Sequence, residues 1–303
     1  MPALSRCMLL IALLLAFTPA AAFAVNPDGT PTTKEEALVY FKKQAEKLHP
    51  QHGKIILEKG LVTLNIPQDF GYLPQDQTEI LIHNIWQNPP GAKTLGAIIP
   101  APFDVLSHDS WAIIITYNDD GHISDKDAAT IDYDKLLQQM QKSNVEEKRQ
   151  REEAGYTAFD LVGWAAKPHY DKDAHKLYWA LQLQPEGSQE RELNYNIRIL
   201  GRQGYLVMSI VGSLAQLPMI ESNTDKILSF VDFNTSHRYA DFNPSTDKMA
   251  AYGMAALIGG IAAAKVGLFK GLFVALLALK KFIILAAIAV AAFFKRLFKR
   301  KKD

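Results

Sequence analysis

Both ends of this 303-residue chain are apolar in patterns that a globular core does not use, and they confine independent folding to the stretch between them. The first 24 residues carry Arg6, an apolar run from Cys7 to Phe17, and then Ala20-Ala21-Ala22-Phe23-Ala24. A charged start, a short apolar stretch and small residues in that order form a secretory signal, with cleavage expected after Ala24. From about Met249 to Phe294 the chain is again almost wholly apolar, broken by Lys265, Lys270, Lys280 and Lys281. It closes on Lys295, Arg296, Lys299, Arg300, Lys301 and Lys302, the basic flank expected on the cytoplasmic side of a membrane. The expected organisation is a signal (1–24), a linker and short helix (25–49), a periplasmic domain (50–235), a juxtamembrane linker (236–249), a membrane-anchoring region (250–294) and a basic cytoplasmic tail (295–303).

The charge follows the same partition. The formal net charge is +1, but residues 25–249 hold 22 Lys+Arg against 31 Asp+Glu, a net of 22 − 31 = −9. Residues 250–303 hold ten Lys+Arg and one acid, a net of +9, and Arg6 supplies the remainder. An acidic domain lacks the clustered Lys and Arg that nucleic acid requires, so nucleic acid is not an expected partner. The expected location is a bacterial inner membrane, crossed once, with the domain periplasmic. Cys7, the only cysteine, lies within the signal, which excludes disulfides, thiol nucleophiles and cysteine metal sites from the mature chain.

A span of roughly 20 apolar residues fits 250–272, with the remainder a basic amphipathic helix on the inner surface. One long tilted helix or a hairpin is the alternative. Small residues recur every fourth position, including Ala255, Gly259, Ala263, Gly267 and Gly271, the spacing that lets helices approach closely in lipid. This stripe suggests a homo-oligomer through the anchor helix, although a stretch so rich in Ala and Gly produces such a stripe by composition alone.

Between the ends, Thr33-Lys34-Glu35-Glu36 is a capping box opening a helix over 34–48. Alternation around Lys59-Gly60 predicts a hairpin of 54–58 with 61–66. A helical pattern covers Gln75 to Trp86 and stops at Asn88-Pro89-Pro90-Gly91, followed by strands over 95–100 and 111–117 and a turn at Asn118-Asp119-Asp120-Gly121. A long charged helix spans Tyr133 to Glu153. Strands over 159–166, 176–184, 193–201 and 205–211 form a meander, and a last helix covers 218–230. This order predicts an α+β fold, an antiparallel sheet with covering helices, plus a C-terminal membrane helix.

Signals for chemistry are sparse. His169, Asp171 and His175, with Asp173 between them, alternate along an extended chain and could chelate zinc from one face, or form a turn with polar flanks. Asp119, Asp120, Asp125, Asp127, Asp132 and Asp134 are oxygen-rich, but their spacing departs from the calcium loop and suits turns and helix capping equally. His108, Asp109 and Ser110 are adjacent, so they cannot face one another as a hydrolytic triad must. The chain has no G-x-S-x-G, P-loop, G-x-G-x-x-G or H-E-x-x-H motif. No catalytic residue and no cofactor is expected.

Several segments agree in order with one family: Trp86-Gln87-Asn88-Pro89-Pro90-Gly91, Gly121-His122-Ile123-Ser124-Asp125, Leu161-Val162-Gly163-Trp164, Pro168-His169-Tyr170-Asp171, Leu177-Tyr178-Trp179, the run from Tyr239 to Lys248, and Ala251-Tyr252-Gly253. The chain thereby resembles the bacterial membrane-anchored proteins grouped as domain of unknown function 2167. The resemblance implies a signal peptide, a non-cytoplasmic domain and a C-terminal anchor, and it brings no activity or site residues. The leading functional expectation is a non-catalytic interaction or envelope-maintenance module, partnered by the lipid bilayer and an envelope protein. The alternatives are a divalent-metal-dependent periplasmic hydrolase and a self-associating membrane element.

Overall fold

The computed structural model describes residues 34–89, 93–105, 107 and 110–260. The signal, the linker to Thr33, Ala263, Gly267, Gly271 and the basic cluster 295–302 lie outside the described residues, as do Pro90, Gly91, His108 and Asp109.

The chain begins with α1 (Lys34–Ala45) and the hairpin of β1 (Gly53–Leu57) and β2 (Val62–Ile66). After β3 (Phe70–Leu73), α2 (Gln75–Glu79) widens into a π-helical turn over Ile80–Ile85, closed by Trp86 N–H donating to the Leu81 carbonyl five residues back (2.9 Å). Strands β4 (Gly96–Pro100), β5 (Ala112–Asn118) and the short β6 (His122–Ser124) precede α3 (Tyr133–Glu153). The meander follows as β7 (Phe159–Asp171), β8 (Lys176–Pro185), β9 (Glu192–Leu200) and β10 (Tyr205–Ser213). Then come α4 (Leu217–Ser229), β11 (Val231–Phe233), a 3-10 turn at Tyr239–Asp241 and β12 (Met249–Gly253), and helical turns over residues 254–260.

Seven strands form one sheet in the order β3-β4-β5-β10-β9-β8-β7, every pair antiparallel. One face packs Ile98, Ile113, Ile115, Tyr195, Ile197, Met208 and Ile210 against a second antiparallel sheet, β1-β2-β11, and the apolar side of α4. The opposite face has two halves. Leu81, Ile82, Ile85 and Trp86 cover Ala97, Ile99, Ala112 and Ile114 at one end. Leu136 and Met140 of α3, with Met254, Leu257 and Ile258, cover Phe159, Trp179, Leu181, Tyr205 and Val207 at the other.

The fold is therefore α+β, with antiparallel sheets and covering helices. Of the expected C-terminal membrane helix, residues 261–294 lie outside the described residues. Among the described residues no helix is long and apolar enough to cross a membrane. Met254, Leu257 and Ile258, expected inside a span starting at 250, are at most 5 % exposed and complete the domain's own core. Burial against protein removes them from water as fully as lipid would. Ala255 and Gly259 of the small-residue stripe sit in these same turns, Ala255 half-buried and Gly259 buried.

Candidate functional site

The residues singled out in sequence converge on one end of the sheet, where the chain segment 236–258 is strapped across the domain. Five of the six aspartates of the 119–134 cluster have tasks there. Asp120 accepts from the Tyr252 hydroxyl, and Asp127 accepts from the Met254 backbone N–H (3.1 Å). Asp125 accepts from the Tyr170 hydroxyl (2.9 Å). Asp132 caps α3 by accepting from Lys135 N–H (3.0 Å), and Asp134 pairs with Lys167 (2.8 Å). Among the described residues no group of three or more His, Cys, Asp or Glu side chains is arranged to hold a metal ion.

The metal candidates themselves diverge. His169 is exposed and lies against the Tyr178 ring, centroids 5.0 Å apart. Asp171 accepts from the N–H groups of Asp173 (2.9 Å) and Ala174 (3.0 Å), closing the β7–β8 turn; those N–H donors hold its carboxyl below the usual range. His175 turns inward, its Nδ1 3.2 Å from the Tyr170 hydroxyl and its ring stacked on Tyr239 at 4.1 Å. Even spacing placed these residues on one strand face only for an unbroken strand. The turn and the positive φ of His175 (52°) break that register.

The centre of the junction is His122, which the sequence reading named only within the family segment Gly121–Asp125 and gave no role. Its ring lies between Phe242 (3.9 Å, interplanar 14°) and Tyr239 (4.2 Å, 31°), and His175 covers the far side of Tyr239. Four rings thus stack from Phe242 through His122 and Tyr239 to His175. His122 is 7 % exposed, and its Nδ1 has no hydrogen-bond partner among the described residues. Burial disfavours the imidazolium and lowers the His122 pKa. Tyr239 donates to the Ile123 carbonyl (2.9 Å), and burial raises its hydroxyl pKa to about 12.

Backbone and ionic contacts fasten the rest of the strap. His122 N–H donates to the Lys248 carbonyl (2.8 Å), and β12 pairs parallel to β6, Met249 opposite His122. Gly121 makes this possible: its φ of +113° suits glycine, and an added Cβ would lie 2.7 Å from the Lys248 oxygen. Arg202, in the β9–β10 turn, binds Asp247 through Nε (2.7 Å) and Nη2 (3.0 Å). This two-pronged contact, with help from the Asn243 N–H, holds the Asp247 carboxyl well below the ordinary range. Residues 236–249, expected as a linker, are fastened to the domain by hydrogen bonds, ring contacts and this ion pair, although none of them is buried. The aromatic density of Tyr239-Ala240-Asp241-Phe242 was the available signal, since linkers rarely carry large rings.

A separate cavity of about 320 Å³ opens between the end of α1 and the β3–β4 edge. Leu48, Ile99, Phe103 and Val105 line it with Pro50 and Pro102, and His52 is the one ionisable side chain lining it among the described residues. Its volume is at the lower end of small-molecule sites.

The strap, the meander and the residues up to 291 fall within one sequence match. Residues 49–291 match the family described as “Protein of unknown function (DUF2167)”. The chain belongs to this family. No curated protein matches the sequence. Among solved structures, cyanobacterial PsbP (CyanoP) from Synechocystis sp. PCC 6803 is similar at 10 % identity and TM-score 0.35, over 61 % of this chain and 94 % of that one. The Saccharomyces cerevisiae Ran-binding protein Mog1p is similar at 11 % identity and TM-score 0.32, over 61 % of this chain and 96 % of its own. Similarities this distant carry no statement about what the family member does.

Proposed function

We propose that this chain is a non-catalytic interaction module of the bacterial envelope, tethered to the inner membrane by its C-terminal region, with the domain in the periplasm and residues 295–302 in the cytoplasm. One observation carries the reading. The segment 236–258 is fastened to the domain, so no free linker lies between the sheet and Gly260. A tether fixed in this way transmits orientation between domain and membrane. The bonding of the titratable groups supports the non-catalytic part. The acidic cluster and His175 hold turns, caps and the strap, and none is grouped as a nucleophile with its base. The partners in this reading are the bilayer, an envelope protein, and a second copy meeting through the anchor.

Because Cys7 is the only cysteine, single-cysteine labelling tests the arrangement in the full chain. In a Cys7→Ser background, Lys172→Cys in the exposed β7–β8 turn is expected to react with an impermeant maleimide on intact spheroplasts. Lys302→Cys is expected to react only after permeabilisation. The reverse pattern overturns the topology, and substrate turnover by the purified full chain overturns the non-catalytic assignment.

A further inference from the structure

We propose that His122 is an acid-sensitive pin, and that the C-terminal strap is a latch which protonation of this imidazole opens. The inference stands on the domain alone, whether or not the tail crosses a bilayer. Three observations converge on it. His122 is held between Phe242 and Tyr239, two rings of the strap. Its Nδ1 is buried with no partner among the described residues, so a proton added there meets no acceptor. Finally, among the described residues β6 pairs with β12 alone, so moving the strap strips β6 of its ladder and returns His122 to water.

The charged and titratable surroundings do not supply the missing acceptor. From the β7–β8 turn, His175 faces His122 across Tyr239, and a second proton there would repel the first. The Asp125 carboxylate acts on His122 through its charge, and it already accepts from Tyr170. From the β9–β10 turn, the Gly201 and Arg202 carbonyls favour the charged ring, but the Arg202 guanidinium is engaged with Asp247. On the strap, Asp241 accepts from the Arg238 N–H, and Lys248 contributes its carbonyl to the His122 N–H.

The sign follows from linkage. His122 binds its proton less readily when the strap is docked, so docking is fully supported above the ordinary histidine value of about 6.5. As pH falls below that value the released state takes up the proton first, and the ratio of released to docked rises by up to about tenfold per pH unit until the docked form also protonates.

Hydrogen exchange of the full chain in lipid nanodiscs, compared as protection factors between pH 7.5 and pH 5, tests this. The amides of His122, Arg202 and Met254, bonded to Lys248, His237 and Asp127, are expected to lose protection below about pH 6.5, by at most about tenfold per pH unit. The Met208 amide in the middle of the large sheet is expected to hold. His122→Phe keeps the ring stack and removes the proton site, so its strap amides are expected to stay protected at pH 5. His175→Phe, outside the sandwich, is expected to retain most of the acid response. Protection that does not change with pH in the parent chain overturns the proposal. So does an acid response that persists in His122→Phe, because another group would then be the pin. If His122→Phe fails to fold, the parent and His175→Phe profiles still decide the matter: a response abolished by His175→Phe moves the pin to His175.

Discussion

The two faces of the large sheet are built on different rules, and β9 shows it within nine residues. Leu193, Tyr195, Ile197 and Ile199 point to the face covered by β1-β2-β11 and α4, and all are apolar. Glu192, Asn194, Asn196 and Arg198 alternate with them on the other face, and all are polar. By sequence this is a strand with one wet side. In the structure every residue of β9 is buried. The first face is a core held by area alone, in which shape decides little beyond fit. On the second, the Arg198 guanidinium lies over the Trp179 ring at 4.8 Å and donates to the Ile197 carbonyl (3.1 Å), while its Nε is unpartnered among the described residues. Burial without a carboxylate lowers its pKa to about 10. Apolar packing covers the first face throughout, whereas the second combines two apolar clusters with the buried polar row of β9.

The comparison breaks most visibly if the strap is removed. A chain ending after Lys248 loses Met254, Leu257 and Ile258 from the second face. At about 1.5–3 kcal/mol for each buried side chain, the loss approaches the whole stability of a typical domain. That chain is expected to melt non-cooperatively, whereas one ending after Gly260 unfolds in a single transition; thermal circular dichroism separates the two. On the first face, Ile113→Ala is expected to cost about 2–5 kcal/mol in urea unfolding. It should leave strap amide protection unchanged, since Ile113 lies in a cluster that the strap does not enter.

Smaller effects sharpen the contrast. Burial pushes the Glu147 carboxyl of α3 up to about 7, with Arg151 opposing. A raised carboxyl pKa weakens folding as pH climbs from about 4.3 towards 7. Glu147→Gln is therefore expected to raise the melting midpoint at pH 8 and leave it unaltered at pH 4. Smallest of all, Arg198→Met is expected to be neutral or mildly stabilising in urea unfolding, because a buried charge replaced by an apolar group of similar volume loses a desolvation penalty. A strong destabilisation would mean that the polar row of β9 is part of the packing rather than tolerated by it.

Much of the fold was legible. The 3.6-residue pattern located α3 at its observed limits, and period-two alternation with Gly turns found the β1–β2 hairpin and all four strands of the meander. β3 was missed because Phe70-Gly71-Tyr72-Leu73 has no alternation: all four residues are buried, and a short apolar run after Pro67 looks like a loop. β6, β11 and β12 are three to five residues long, too short for periodicity to register. The site was less legible. The acidic cluster was recognised as turns and caps, but its use in gripping residues 252–254 depends on contacts more than 120 residues apart.

By itself the sequence determined the α+β class, the antiparallel meander, the long helix and the family. Each follows from local periodicity, turn chemistry or ordered motifs, which act between near neighbours in the chain. Only the tertiary structure decided that His122 is a buried ring between Tyr239 and Phe242, that Arg198 is covered, and that residues 250–258 belong to the domain. An apolar residue carries the same preference for leaving water whether protein or lipid receives it, and only the folded surface offered to Met254, Leu257 and Ile258 distinguishes the two.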